Sequence, residues 1–197
     1  MLSSNSGPSY EDETTWRSRG RLPHLERQDA IYFITFRLAG SLPKHVLLDI
    51  KAAKRNEDAI DEFLDSGHGE CWLKDERIAA LTVNTIKHWS GSRYLLHAWC
   101  VMPNHVHVVL GPKRSLAEVL HSWKSYIAHE ANRMLSRTGD FWQREYYDHI
   151  IRNDEELHRD IEYAINNPVK AGLCENSDEW EWSGVGDMYA GETPALR

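Results

Sequence analysis

Two histidines separated by a single residue are the first groups in this sequence that could bind a metal ion. They lie in the stretch Met-Pro-Asn-His-Val-His-Val-Val-Leu at 102–110, where β-branched residues follow a Pro-Asn dipeptide typical of a turn. Because side chains alternate across a strand, His105, His107 and Val109 are expected to share one face. Neutral imidazole is a common ligand for divalent metals. The same pattern also fits two half-buried histidines at a strand end, and the pair alone does not separate the two interpretations.

A tyrosine and an asparagine late in the chain form the second candidate group. Helical periodicity over Asp154–Asn166 predicts a helix whose apolar stripe is Leu157, Ile161, Ala164 and Ile165. With about 3.6 residues per turn, Tyr163 projects roughly 140° away from that stripe. Asn167 follows one turn later on the same side, and the helix is expected to stop before Pro168. A phenol and an amide oxygen would then face away from the core of the helix. A surface tyrosine and a helix-terminal asparagine are the alternative.

The elements that must position these groups alternate between strand and helix patterns. Strand patterns cover Ala30–Leu38, Tyr94–Met102, 102–110 and Trp142–Ile151, and helix patterns cover Lys44–Leu64, Asp75–Trp89, Ser115–Leu135 and Asp154–Asn166. This order predicts an α+β fold with a ferredoxin-like antiparallel sheet, helices on one face and an extra C-terminal helix that carries the tyrosine. The other face of the sheet would be free for a site.

Composition indicates an ordinary globular protein of one main domain. The chain has 197 residues, 41% of them hydrophobic, and a net charge of −7. Three widely spaced cysteines and the absence of a long apolar run or a signal-peptide core favour a cytoplasmic protein without a membrane partner. We expect a flexible N-terminal segment over residues 1–20, a catalytic domain over 21–173 and an acidic C-terminal tail over 174–197.

Three short motifs, in order, resemble those of a known family. They are Met-Pro-Asn-His-Val-His at 102–107, Trp-Gln-Arg-Glu-Tyr at 142–146, and Asn-Asn-Pro-Val-Lys-Ala-Gly-Leu at 166–173, the last preceded by Tyr163. Together they are similar to the REP-associated tyrosine transposases, which belong to the HUH single-strand nucleases, where U is a hydrophobic residue. The resemblance extends from about Leu22 to Trp182.

The resemblance implies a role for each candidate residue. His105, His107 and Asn167 would bind a divalent metal, Mg²⁺ or Mn²⁺, and Tyr163 would be the nucleophile. The partner would be single-stranded DNA carrying a hairpin from a repetitive extragenic palindrome (REP). The reaction would be DNA cleavage and rejoining of the transposition type, through a 5′-phosphotyrosine intermediate.

Several alternatives stay open at the level of the sequence. Tyr126 is a rival nucleophile, because it follows the histidines on a helix as in related insertion-sequence transposases. Tyr146 and Tyr147 are weaker candidates. A metal-dependent phosphodiesterase that forms no covalent intermediate, or a DNA- or RNA-hairpin-binding module with a vestigial site, would also fit.

DNA contact in an acidic chain must come from local positive charge. The candidates are Arg17, Arg19, Arg21, Lys113, Arg114, Lys124, Arg144 and Lys170. Monomer and homodimer are both compatible with the sequence.

Overall fold

Seven strands and three helices follow one another in the part of the chain that the computed structural model describes, residues 14–17, 24–27, 29–43, 46, 60 and 63–186. They are β1 (Thr14–Arg17), β2 (His24–Arg27), β3 (Ile31–Arg37), α1 (Glu76–His88), β4 (Tyr94–Val101), β5 (His105–Pro112), α2 (Leu116–Met134), β6 (Tyr147–Ile151), α3 (Asp154–Lys170) and β7 (Ser183–Val185). Short 3₁₀ helices cover Trp72–Lys74 and Ser177–Glu179. Most of the predicted helix Lys44–Leu64 lies outside the described residues.

Five of the strands form one antiparallel sheet in the order β6-β3-β5-β4-β7. The histidine strand β5 is therefore central, and β4 and β5 form a hairpin whose connection contains the Pro103-Asn104 turn dipeptide. The register places Thr35 of β3 opposite both His107 and Tyr147. The predicted α+β class with an antiparallel sheet is confirmed.

One face of the sheet carries the larger core. The side chains that alternate into it from β3 and β5 include Ile34, Phe36, Val106, Val108 and Leu110, all fully buried. Helices α1 and α2 cover this face with their apolar stripes, which include Ile78, Ile86, Leu120, Trp123 and Ile127. Burial of these apolar side chains drives both helices onto the sheet.

The opposite face of the sheet is covered by α3. Its stripe of Leu157, Ile161 and Ala164 packs on Phe33 and Val109 of the sheet. The sequence pattern predicted that this face of the sheet would be free for a site. An amphipathic helix must bury its apolar stripe, and this face was the remaining apolar surface of the sheet. The odd-numbered positions of β5, including His105 and His107, therefore lie between the sheet and α3.

Helix α3 ends later than the sequence predicts. It runs through Pro168 to Lys170, so the predicted stop before the proline is wrong. A proline in the last turn removes only one intrahelical hydrogen bond. Gly172, which has φ +68°, follows the helix and its C-cap Ala171. Leu173 N donates a hydrogen bond to Pro168 O, and Gly172 N donates one to Val169 O. These two bonds are the Schellman pattern that commonly ends a helix at glycine.

Both segments outside the predicted catalytic domain contribute strands. Thr14–Arg17, within the segment expected to be flexible, pairs with His24–Arg27, as suits its β-prone Thr-Thr-Trp sequence. Ser183–Val185, from the segment interpreted as an acidic tail, pairs with β4 at the edge of the sheet. A Cβ on Gly184 would lie 2.6 Å from Trp99 Cζ2, so the close approach of β7 to that ring requires glycine.

No helix among the described residues is long and apolar enough to cross a membrane.

Candidate active site

The histidine pair lies at the start of β5, with both imidazoles completely buried. The turn before the strand is closed by a bond from Met102 N to His105 O, so the strand begins at the first histidine. Val109 shares their face, and the even-numbered residues of the strand face the larger core. The alternation predicted from the sequence is therefore observed.

Asn104 fixes the orientation of His105. The Asn104 side-chain amide donates to Leu64 O at 3.0 Å and to His68 O at 3.2 Å, which identifies its Oδ1 as the acceptor facing His105 Nδ1 at 2.7 Å. His105 Nδ1 must then carry the proton, because an amide oxygen cannot donate. The lone pair of the neutral ring is on Nε2, which faces the second histidine.

Thr35 fixes the orientation of His107. The Thr35 hydroxyl lies 2.8 Å from His107 Nδ1, across the β3–β5 register. The Nε2 atoms of the two histidines then face each other at 2.9 Å. Two nitrogens bound at right angles to one ion at ~2.1 Å would be about 3 Å apart, so the observed spacing suits two ligands of one metal.

Both imidazoles are held in the neutral form that binds metal. Burial lowers the pKa of His105 well below its usual value, with further contributions from His107 and Lys170. Burial, followed by the charge of Lys170, lowers the pKa of His107 to about 3. Ligand nitrogens must be unprotonated, so a depressed pKa prepares both rings to bind a cation.

The same shifts predict a pH dependence of stability for the metal-free protein. Between pH 6.5 and 5 the unfolded chain protonates both histidines, whereas the folded chain does not, so stability rises with pH. We expect the free energy of unfolding in EDTA to fall on acidification through this window, by at most about 1.4 kcal/mol per pH unit for each ring. Denaturant titrations at several pH values measure the slope. His107→Gln should make it shallower, and an unchanged slope in that variant would contradict the assignment.

Tyr163 lies against the histidine pair. Its ring is half-buried and makes edge contacts with His107 at 5.5 Å and with Phe33 at 5.7 Å between centroids. Lys170 Nζ lies 5.3 Å from the centre of the same ring. The helix periodicity did not identify what Tyr163 faces. The structure shows that the ring faces the histidine strand β5. The flank of the ring also joins the small core beneath α3.

Asn167 places a buried amide in the last turn of α3. It is 1% exposed, and neither its Oδ1 nor its Nδ2 has a hydrogen-bond partner among the described residues. It lies on the same face of α3 as Tyr163, four residues before it, and Lys170, three residues after it. A buried amide without partners costs about 1–3 kcal/mol, so a ligand at this position would offset that cost.

Asp65 is a site residue that the sequence did not reveal. Its Oδ1 lies 3.6 Å from His105 Nε2, and its Oδ2 lies 3.4 Å from Lys170 Nζ. One ligand atom from each of Asp65, His105 and His107 lies within 4.8 Å of the others. No spacing in the sequence links this carboxylate to the histidines, the first of which lies 40 residues later in the chain. The only available signal was an acid directly before a glycine-containing turn.

The residues present fit a divalent metal. Two neutral imidazoles, a carboxylate and a buried amide oxygen offer nitrogen and oxygen donors of the kinds that bind Mg²⁺, Mn²⁺ and zinc. The partners of the histidine Nδ1 atoms, Asn104 and Thr35, are the orienting contacts typical of metal-binding histidines.

Tyr126 is not brought to this site within the chain. It is 55% exposed on α2, the helix that covers the opposite face of the sheet. Trp123 and Ile127 are on the buried stripe of α2, and Tyr126 is outside it.

The predicted DNA-contact residues are scattered in the structure. Arg19 and Arg21 lie outside the described residues, and only the backbone of Arg17 is described. Lys113 and Arg114 are exposed beyond the far end of β5, about 25 Å from the histidines at ~3.3 Å per residue. Lys170 lies at the candidate metal site itself.

Lys124 and Arg144 lie together on the opposite face from the histidines. They line a groove of about 590 Å³ between α2 and the segment before β6. The Lys124 ammonium donates to the backbone carbonyls of Gln143 at 2.7 Å and Arg144 at 2.9 Å. Burial lowers the pKa of Lys124 to about 8. This lysine therefore joins α2 to the following loop, whereas the Arg144 side chain is exposed.

This chain is similar to known proteins in both sequence and fold. Residues 74–165 match the family model described as transposase IS200 like. A Haemophilus influenzae protein provisionally named a REP-associated tyrosine transposase is 29% identical over 98 residues, 44% of this chain and 56% of that protein. The REP-associated tyrosine transposase of Escherichia coli is 25% identical over 91 residues, 45% of this chain and 52% of that protein.

The chain thus spans about half the length of the curated relatives it matches. Among solved structures, a REP-associated tyrosine transposase bound to a REP hairpin has a TM-score of 0.56, with 18% identity. The similarity covers 85% of this chain and 82% of that one, and at this identity it concerns the fold. Residues 74–165, which match the model of the IS200-like transposases, include α1, the histidine hairpin, α2, β6 and the part of α3 that carries Tyr163, so this part of the chain is similar to those transposases and to proteins named REP-associated tyrosine transposases.

Proposed function

We propose that this protein is a metal-dependent endonuclease and strand transferase for single-stranded DNA. Tyr163 attacks a phosphodiester, and His105, His107 and Asn167 hold the divalent ion. The observation that carries the proposal is the contact of the Tyr163 ring with His107, beside a buried asparagine amide that has no partner among the described residues. A nucleophile beside neutral, oriented ligands is the arrangement that phosphoryl transfer to a tyrosine requires.

The reaction stores the energy of the broken bond in a covalent intermediate. The Tyr163 oxygen forms a bond to phosphorus as the bond to the 3′ oxygen breaks, leaving a 5′-phosphotyrosine and a free 3′-hydroxyl. A phenol has a pKa near ~10 and is a poor nucleophile at neutral pH. The ion would supply polarisation of the phosphate and neutralise charge that develops on it. Attack by a 3′-hydroxyl on the phosphotyrosine reverses the step and joins strands without a nucleotide cofactor.

Mg²⁺ or Mn²⁺ is the proposed ion. The amide oxygen of Asn167 is a hard donor that both ions accept, and the two imidazoles favour Mn²⁺ relative to Mg²⁺. Asp65, close to His105 Nε2, offers a further oxygen.

Lys170 is proposed to assist both the tyrosine and the phosphate. Its ammonium lies near the Tyr163 ring and pairs with Asp65, so it is held at the site by two contacts. A cation at this position would stabilise a phenolate on Tyr163 or the charge on a bound phosphate oxygen.

The ordered surroundings of the histidines support an active rather than a vestigial site. Asn104 and Thr35 each form a hydrogen bond to a histidine Nδ1, and both imidazoles are completely buried and neutral. Hydrogen bonds that orient buried imidazoles in this way are typical of histidines that bind a metal.

The proposed substrate is a DNA hairpin with a single-stranded flank. One solved relative was bound to a REP hairpin, and the names of the curated relatives refer to the same repeats. The net charge of −7 is poorly suited to a long duplex footprint. Palindromic repeats near the gene for this protein are the sequences to test first.

We expect the protein to bind a hairpin with a short unpaired 5′ or 3′ flank more tightly than a blunt duplex of equal length. Single strands are bound through exposed bases as well as phosphates, whereas a blunt duplex offers mainly phosphates to this acidic protein. Fluorescence anisotropy at matched salt, in Ca²⁺ or EDTA to prevent cleavage, measures both affinities. Equal affinity for the two ligands would indicate a generic binder. A hairpin of scrambled stem sequence is the control for sequence recognition.

A further inference from the structure

A second group of hydrogen-bonded side chains lies beside the candidate site. The Tyr147 hydroxyl is 3.2 Å from His149 Nδ1, and His149 Nε2 is 2.9 Å from Asp160 Oδ2. Tyr147 and His149 come from the edge strand β6, and Asp160 comes from α3. The mechanism proposed above uses none of these three residues.

The directions of these hydrogen bonds define a proton path. Asp160 is 8% exposed, and its carboxylate accepts, so Nε2 of His149 carries a proton. His149 Nδ1 then exchanges a proton with the Tyr147 hydroxyl, accepting one when the ring is neutral and donating one when it is an imidazolium. A hydroxyl, an imidazole and a buried carboxylate in this order are the arrangement by which proteins move a proton to or from a reacting oxygen.

The register of the sheet places this path next to the metal site. Tyr147 and His107 are both paired with Thr35, one on each side, so the three side chains lie in one row on the face covered by α3. The Phe33 ring contacts His107 and His149, each at 5.4 Å, and also contacts Tyr163. Asp160, which accepts the hydrogen bond from His149, precedes Tyr163 by three residues on α3 and lies on the same side of that helix. Tyr147 and Tyr163 therefore both face the space between α3 and the sheet.

We propose that Tyr147 is the general acid that protonates the leaving 3′ oxygen, with His149 and Asp160 as its positioning residues. The inference rests on the proposed function, in which Tyr163 is the nucleophile. As the bond from phosphorus to the Tyr163 oxygen forms and the bond to the 3′ oxygen breaks, the Tyr147 hydroxyl gives its proton to the 3′ oxygen. Tyr147 takes a proton from Nδ1 of protonated His149, whose positive charge Asp160 stabilises. The proton lost by Tyr163 passes to solvent, which later reprotonates His149.

The same path operates in reverse when strands are joined. The 3′-hydroxyl that attacks the phosphotyrosine must lose its proton, and the Tyr147 oxygen receives it while passing its own to His149. One proton relay thus serves both directions, as microscopic reversibility requires.

A metal site is the other use that this group of side chains could have. His149, Glu156 and Asp160 place three ligand atoms within 4.8 Å of one another. Glu156, however, already accepts a bond from Arg152 N at 2.8 Å and lies 3.7 Å from Arg159. Asp160 and both ring nitrogens of His149 are likewise engaged. The hydrogen-bonded order of the group therefore favours proton transfer.

A change of leaving atom tests the proposal. Once the linkage cut by the unaltered protein has been mapped, a second hairpin oligonucleotide is made with sulfur in place of the bridging 3′ oxygen at that linkage. A thiol, with a pKa near ~8.5, leaves without protonation, whereas an alcohol is as weak an acid as water and needs a proton to leave. We expect Tyr147→Phe to slow covalent cleavage of the oxygen substrate by about 100-fold. The sulfur substrate should react with the variant close to the rate of the unaltered protein.

Asp160→Asn should give a smaller defect with the same rescue by sulfur, because the relay remains but its imidazolium is less stable. Tyr146→Phe, which removes the hydroxyl of the residue just before β6, on the side of the larger core, is the matched control and should leave both rates unchanged. If Tyr147→Phe weakens hairpin binding, Asp160→Asn carries the test. Equal slowing of both substrates with hairpin affinity intact, or no slowing of the oxygen substrate, would overturn the role of Tyr147. Failure of the unaltered protein to form an adduct with either substrate would overturn the proposed function instead.

Discussion

Replacing Tyr163 by phenylalanine is expected to eliminate the covalent protein–DNA adduct while leaving the fold and hairpin affinity nearly unchanged. The substitution removes one oxygen, and the half-buried ring retains its contacts with His107 and Phe33. Loss of a nucleophile lowers rates by several orders of magnitude, so we expect a decrease of at least about 10³-fold in adduct formation. A hairpin oligonucleotide labelled on the 3′ side of the cut, followed by denaturing electrophoresis, measures the adduct.

Tyr126→Phe is the matched control for this experiment. Its side chain is exposed on the helix across the sheet, so the adduct should form at the normal rate. If Tyr126→Phe eliminates the adduct and Tyr163→Phe does not, the assignment of the nucleophile is wrong although the class of reaction stands. If the unaltered protein cuts DNA and peptide mapping finds no tyrosine adduct, the enzyme is a hydrolase without a covalent intermediate.

Replacing either histidine of the pair by alanine is expected to abolish cleavage and to spare hairpin binding. Each imidazole supplies one of the proposed metal ligands, and cleavage without the ion would lose charge stabilisation worth several orders of magnitude in rate. Hairpin affinity should be retained, because the buried histidines have no surface with which to contact DNA. Cleavage rates and anisotropy titrations, measured on the same preparations, separate the two effects.

Chelation provides the same test without a substitution. EDTA should stop cleavage by the unaltered protein, and added Mn²⁺ or Mg²⁺ should restore it. His121→Ala, which removes an exposed histidine from α2, is the matched control and should retain activity. Circular dichroism and thermal unfolding verify that the His105→Ala and His107→Ala proteins are folded, and His107→Gln keeps more of the buried volume. Full cleavage in EDTA would exclude the metal mechanism.

Local pattern in the sequence was sufficient for strands β3, β4 and β5, for the presence of helices α1, α2 and α3, and for the direction of the histidines. Strand alternation places His105 and His107 on the face opposite Val106 and Val108 because the side-chain period of a strand is two, whatever packs on it. The 3.6-residue period likewise separated Tyr163 from the stripe through Leu157, Ile161 and Ala164, although the ring also packs on Phe33 beside that stripe. These features depend on neighbours along the chain, and the structure agrees with them.

The end of α3 shows where local rules compete. The rule that a helix stops before proline favoured an end at Asn167, but the helix continues to Lys170 because Gly172 closes it with a Schellman pair. One lost hydrogen bond near the end of a helix is a small cost beside the burial of Asn167 and Pro168. A rule based on a single residue cannot compare the lost hydrogen bond with the free energy gained by burial, because burial depends on how the helix packs on the sheet.

By itself, then, the sequence determined the chemical groups and the faces they occupy, and only the tertiary structure decided which groups meet. Asp65 reaches His105 from a segment 40 residues earlier in the chain, and the Tyr147–His149–Asp160 path joins an edge strand to α3. Helix α3 lies over the histidines because its apolar stripe had one remaining sheet face on which to be buried. Such contacts are set by packing between elements distant in sequence, and no local period encodes them.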